Sequence, residues 1–149
     1  MALNKQISAT TNPMAVLDIA VAHHQSFDAV NVSTCLHRVA KHAMAADVPN
    51  VLQHPGFEIL QEAVPRVIHG CRPQQLGNML WALAKLEVKQ VSPALVDAVM
   101  QQAVEVLSGF NPQNTANMLW ACAKLDIVPP AVCGWWFFYE SIDSMGIRV

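Results

Sequence analysis

The chain has 149 residues, 53% of them hydrophobic and 13% charged, with a formal net charge of −2 and a mean hydropathy of +0.28. That length fits one domain, and that composition excludes a disordered chain while supplying ample apolar surface for a core. No stretch approaches the roughly 18 uninterrupted apolar residues of a membrane span, and the slightly acidic balance excludes phosphate binding by overall charge, so any basic face must be local.

The N-terminal segment Met1–Leu17 has no acid and contains Ser8, Thr10 and Thr11, as transit peptides do, but Lys5 is its only base. It lacks the apolar region of a secretory signal. Residues 1–12 are therefore read as a flexible N-terminus, and residues 13–149 as a single domain of helical repeats.

The most basic stretch follows, in Val30-Asn-Val-Ser-Thr-Cys-Leu-His-Arg-Val-Ala-Lys41. Arg38 and Lys41 lie one helical turn apart with His42 nearby, a candidate anchor for phosphate or simply a solvated helix face. Beyond it, Pro49, Pro55 and Gly56 suggest a loop over Asp47–Gly56, then a second helix over Pro55–His69 ending at Gly70. Pro65 lies inside that helix and predicts a kink or an early break.

The clearest feature comes next. Pro73-Gln-Gln-Leu-Gly-Asn-Met-Leu-Trp-Ala-Leu-Ala-Lys-Leu-Glu-Val88 aligns without gaps on Pro112-Gln-Asn-Thr-Ala-Asn-Met-Leu-Trp-Ala-Cys-Ala-Lys-Leu-Asp-Ile127, a step of 39 residues from Pro73 to Pro112. Val32–Lys41 is a weaker third copy at a step of 44, with His37 in the place of Trp81 and Thr34 in that of Asn78.

Each copy reads as two helices. Proline opens the first, where its missing N–H costs nothing, and Leu76, Met79, Leu80, Leu83 and Leu86 form a buried stripe. Ser92-Pro93 caps and opens the second, which runs through Leu95, Val96, Val99, Val104 and Leu107, with Gly109 as the expected C-terminal cap. Pro129-Pro130 opens the corresponding helix of the last copy. Such pairs cannot bury their apolar faces alone and must stack. The expected fold is all-α: a right-handed α-solenoid of about three helix-hairpin repeats of roughly 38–44 residues, spanning about 27–70, 71–109 and 110–145.

The phrase Pro-Gln-x-x-x-Asn-x-Leu-Trp-Ala-x-Ala-Lys-Leu closely resembles the octotricopeptide repeats of algal and apicomplexan organelle proteins, as does Val30–Lys41 in a variant form. A related animal group is the Fas-activated serine/threonine kinase-like family of mitochondrial RNA proteins. The resemblance covers roughly Phe27 to Ser141. It implies single-stranded RNA as partner, a role in organelle RNA processing, stability or translation, and a mitochondrial or chloroplast location. Many members carry a C-terminal RAP domain. The sequence after Gly134 is too short for one, and the chain is expected to lack it.

Stacked first helices would align Gln74, Asn78 and Lys85 with Gln113, Asn117 and Lys124 in polar ladders. Amides could read base edges and lysines meet phosphates. The competing role for Asn78 and Asn117 is bonding a neighbouring repeat's backbone. The positions that differ between copies, Gln75 against Asn114 and Leu76 against Thr115, are the better candidates for base discrimination. Trp81 and Trp120 lie between core leucines, and repeat-to-repeat packing is favoured over base stacking.

Cys35, Cys71, Cys122 and Cys133 form no CxxC pair, and His37 and His42, five apart, do not share a helix face as metal ligands would. No nucleophile motif, phosphate loop or paired-carboxylate pattern is present. No enzyme activity, cofactor, metal, membrane or DNA is expected. Trp135, Trp136, Phe137, Phe138 and Tyr139 cannot all be buried by one helix face: some are expected to be exposed, to bury against a next repeat or to contact a protein partner, and a missing next repeat is favoured, with self-association through them as its consequence. A protein-interaction scaffold of the same architecture is the alternative function.

Overall fold

The computed structural model describes residues 2–128, and the second helix expected from Pro129-Pro130 and the aromatic run Trp135–Tyr139 lie outside the described residues. Among the described residues the fold is all-α, with no strand. The helices are α1 (Ala2–Ala9), α2 (Pro13–His23), α3 (Ala29–His42), α4 (Val48–Gln53), α5 (Pro55–Val67), α6 (Pro73–Lys85), α7 (Pro93–Glu105) and α8 (Pro112–Lys124).

Proline stands in the first turn of α2, α4, α5, α6, α7 and α8. The donors this leaves are met locally. Asn12 Oδ1 accepts from the N–H of Met14 and Ala15, and Asn111 Oδ1 from Asn114. Asp28 and Asn31 form a reciprocal capping box at α3. Ser92 occupies the cap position of α7, but its hydroxyl makes no capping bond.

The leucine stripe of α6 is wholly buried, and each of its leucines contributes about 1.5–3 kcal/mol relative to exposure. Helix α3 packs against α1 on one side and α6 on the other, and α6 then packs against α8. In parallel, α5 packs against α2 and α7. The helices thus fall into a first row, α1–α3–α6–α8, and a second row, α2–α5–α7, with the core between them.

The two best-defined steps of the first row use the same contact. Ser33 of α3 donates to the carbonyl of Gln75 in α6 at 3.4 Å. Gly77, at the position of Ser33, would place a Cβ 3.4 Å from the carbonyl of Asn114 in α8. Asn114 is the counterpart of Gln75. A small residue at this point lets each helix approach the next helix's backbone.

Several elements differ from expectation. Residues 2–9, assigned to a flexible N-terminus, form helix α1, because Ile7 is buried and α1 docks on α3. The loop expected over Asp47–Gly56 contains α4, whose Val51 is buried. Helix α5 passes through Pro65 and ends at Val67, where a short 3-10 turn, Ile68–Gly70, takes over. Gly109 has no left-handed backbone and closes a 3-10 turn against Pro73. The left-handed corners fall instead on Glu87 (φ 54°) and Asp126 (φ 55°), after α6 and α8.

Candidate nucleic-acid interface

The charges segregate by row. Helices α1, α3, α6 and α8 carry Lys5, Arg38, Lys41, Lys85 and Lys124 and contain no Asp or Glu. Helices α2, α5 and α7 carry Asp18, Glu58, Glu62, Asp97 and Glu105 against Arg66 alone. Among the described residues the acids lie in the second row and the connections, with Asp28, Glu87 and Asp126 at the ends of first-row helices, and the first-row helices themselves carry only bases.

Lys41, Lys85 and Lys124 are exposed in the last turns of α3, α6 and α8. Each offsets the partial negative charge at its helix C-terminus. Among the described residues none of the three forms an ion pair. Lys85 Nζ lies over the Trp81 ring, 5.0 Å from its centroid. Trp81 also meets the His37 ring, 5.2 Å between centroids and tilted by 37°. This contact joins equivalent positions of α3 and α6, and Trp81 packs on the core as a repeat-to-repeat residue.

Arg38 is engaged structurally. Its Nε and Nη2 both donate to the carbonyl of Thr10, at 3.2 and 2.9 Å, and so fasten the end of α1 to α3. Its charge remains in the basic row, but Nε and Nη2 are committed to backbone. Two other corners are tied similarly. Arg66 donates to the carbonyls of His24 and Phe27, and the buried Gln102 to that of Cys71.

The amides divide as well. Gln74 and Gln113 are exposed, and Asn78 and Asn117 are half-buried in the first-row helices. Gln75 Oε1 accepts from the N–H of Arg72 at 3.0 Å. The Gln75/Asn114 difference follows from this: Arg72 offers no acceptor oxygen, so Gln75 reaches back to close the turn. In α8 the cap residue Asn111 supplies that oxygen itself. Leu76 and Thr115 are buried, and the Thr115 hydroxyl donates to the carbonyl of Asn111 at 2.9 Å. Neither can reach a base, which removes that pair from the candidates for base discrimination.

The basic row also perturbs its histidines. Burial, then the charges of Lys41, Arg38, Lys85 and His42, hold the His37 imidazole below the usual histidine range. Shielding from solvent, then Arg38, Lys41 and Lys85, does the same at His42. His42 Nε2 is buried without a hydrogen-bond partner. Desolvation leads both shifts, neighbouring bases add to it, and no carboxylate acts against them. Sequence reasoning missed this because −2 for the whole chain hides it.

Burial pushes the Cys35 thiol up to about 12 and those of Cys71 and Cys122 up to about 11, so all three stay protonated and unreactive at neutral pH. Among the described residues, no group of three His, Cys, Asp or Glu gathers as a metal site, and no helix is long and apolar enough to cross a membrane. No family model, curated protein or solved structure matches the chain.

Proposed function

We propose that the chain is an α-solenoid of the octotricopeptide type that binds single-stranded RNA along its first helix row, in organelle RNA metabolism. The observation that carries this reading is the absence of acid from α1, α3, α6 and α8, beside the exposed Lys41, Lys85 and Lys124. Neighbouring helices pack about 8–10 Å apart, so lysines at equivalent positions repeat at about that step along the row. A flexible polyanion can follow such a column, because each lysine meets a phosphate without demanding base identity. Exposed Gln74 and Gln113 are the second residues of their helices and offer amide groups to base edges from the first turn.

The repeated contact at Ser33 and Gly77 supports the solenoid reading, since equivalent residues bury equivalent backbone. Right-handed superhelical stacking of about three repeats follows from the family resemblance and from helix pairs that need neighbours.

Binding of labelled single-stranded RNA to the whole chain, titrated with salt, tests the proposal. Three lysine–phosphate contacts give a slope of about −2 in log K against log salt. Replacing Lys41, Lys85 and Lys124 by Gln should flatten that slope towards zero and leave the fold intact, because all three side chains are exposed. No binding at low salt would exclude the RNA reading and leave the protein scaffold.

A further inference from the structure

We propose that the Trp120 ring is a stacking platform for an unpaired RNA base, with Lys124 placed beside it for an adjoining phosphate. The inference rests on the RNA-binding reading and adds a second kind of contact to it. Its starting point is Trp81, the equivalent residue one repeat earlier. There the indole carries a planar nitrogen heterocycle, the His37 imidazole, at 5.2 Å and 37°, and a cation, Lys85 Nζ, at 5.0 Å from the ring centroid. This position therefore holds an indole where flat heteroaromatic rings and positive charge can reach it.

Trp120 repeats the Trp-to-Lys spacing, and Trp81, its equivalent in the preceding first-row helix, makes no ring contact with it as His37 does with Trp81. Lys124 follows Trp120 by four residues, as Lys85 follows Trp81, so both side chains lie on one face of α8. Among the described residues Trp120 has no ring or cation partner. It is 38% exposed, although Met118, Leu119, Ala121 and Cys122 around it are buried. Those neighbours fix α8 on the core, so the ring is presented from a rigid helix and loses little freedom on binding. The nearest acid in sequence is Asp126, at the left-handed corner two residues after Lys124, and α8 itself has none.

An aromatic face beside a cation, on a helix that carries no acid, matches a base with its phosphate. An apolar peptide would gain nothing from Lys124. Stacking tolerates every base but favours the larger π-face, so adenine should bind better than uracil.

The test compares oligoadenylate, oligouridylate and an abasic ribose-phosphate chain, each of about ten nucleotides, by fluorescence anisotropy with the full chain. Wild type should bind oligoadenylate roughly 5- to 100-fold more tightly than the abasic chain. Trp120→Ala should remove most of that margin and leave abasic binding unchanged, while Trp120→Tyr should restore much of it. Helical content by circular dichroism confirms that each variant folds. Equal loss of both ligands in Trp120→Ala, or equal binding of all three by wild type, overturns the stacking proposal while the RNA reading survives. No binding of any of the three overturns both.

Discussion

Glu87 and Asp126 hold the left-handed backbone region at φ 54° and 55°, a conformation that costs an L-residue about 1–2 kcal/mol. Both close the helix before them in the same way: the N–H of Val88 reaches the carbonyl of Leu83 at 3.1 Å, and that of Ile127 reaches Cys122 at 2.9 Å. This six-to-one closure usually places glycine at the turning residue. Here a carboxylate stands there, near the negative end of the helix dipole, so backbone and charge both oppose it. Glu87→Gly should therefore raise stability by about 0.5–1 kcal/mol, the strain relieved less the entropy glycine loses. Glu87→Ala removes the same charge but keeps the strain, and should gain clearly less. Thermal melts of the two variants decide: a Gly variant no more stable than the Ala variant would show that the corner stores no strain.

At the scale of elements, two glycines in helices have opposite consequences. A Cβ on Gly56 would lie 2.4 Å from the carbonyl oxygen of Leu17, where α5 crosses α2. That oxygen belongs to a helical backbone and cannot yield without moving α2. Gly56→Ala should cost about 1–3 kcal/mol despite the better helix propensity of alanine. At Gly77 the nearest atom, the Asn114 carbonyl, is 3.4 Å away, and the next repeat already carries Ala116 at this position. Gly77→Ala should be neutral or stabilising by up to about 1 kcal/mol. Urea denaturation of both variants checks the contrast, and equal effects would contradict the packing described for the two rows.

The same scale shows what sequence makes legible. The α6 and α8 framework is readable because two near-identical copies repeat a proline start and a leucine stripe. Helices α2 and α4 share the proline start but not the repeated leucine stripe, and α1 has neither. Helix α1 is short, and its docking depends on Ile7 and on Arg38 reaching the Thr10 carbonyl, a contact 28 residues away in sequence. The site divides likewise. The exposed lysines follow from helical periodicity, whereas the capping role of Gln75 and the burial of Thr115 depend on what the residues at the helix entrance can accept.

Across the whole molecule, a formal charge of −2 conceals a basic first row and an acidic second row, and pH separates them further. His37 faces Trp81 and Lys85 of α6, with Arg38, Lys41 and His42 on its own helix, and His42 sits among Arg38, Lys41 and Lys85. No acid lies in α1, α3 or α6 to favour protonation. Both imidazoles are held below their usual value, so they are neutral above neutrality in the folded chain. As pH falls through about 6.5 the unfolded chain takes up these protons first, and the free protein loses stability. On the proposed RNA-binding reading a bound phosphate would reverse the preference, because it would favour the imidazolium forms. RNA affinity should therefore rise as pH falls from 7.5 to 5.5, a range in which ordinary carboxylates stay ionised. The salt slope should steepen by about 0.7 for each histidine that joins the phosphate contacts. A His37→Gln, His42→Gln variant should bind equally at both pH values, whereas the histidines outside the first row should not matter. Affinity that stays flat or falls on acidification of the wild type would place any RNA path away from the ends of α3 and α6, and would rule out the basic row as the binding surface.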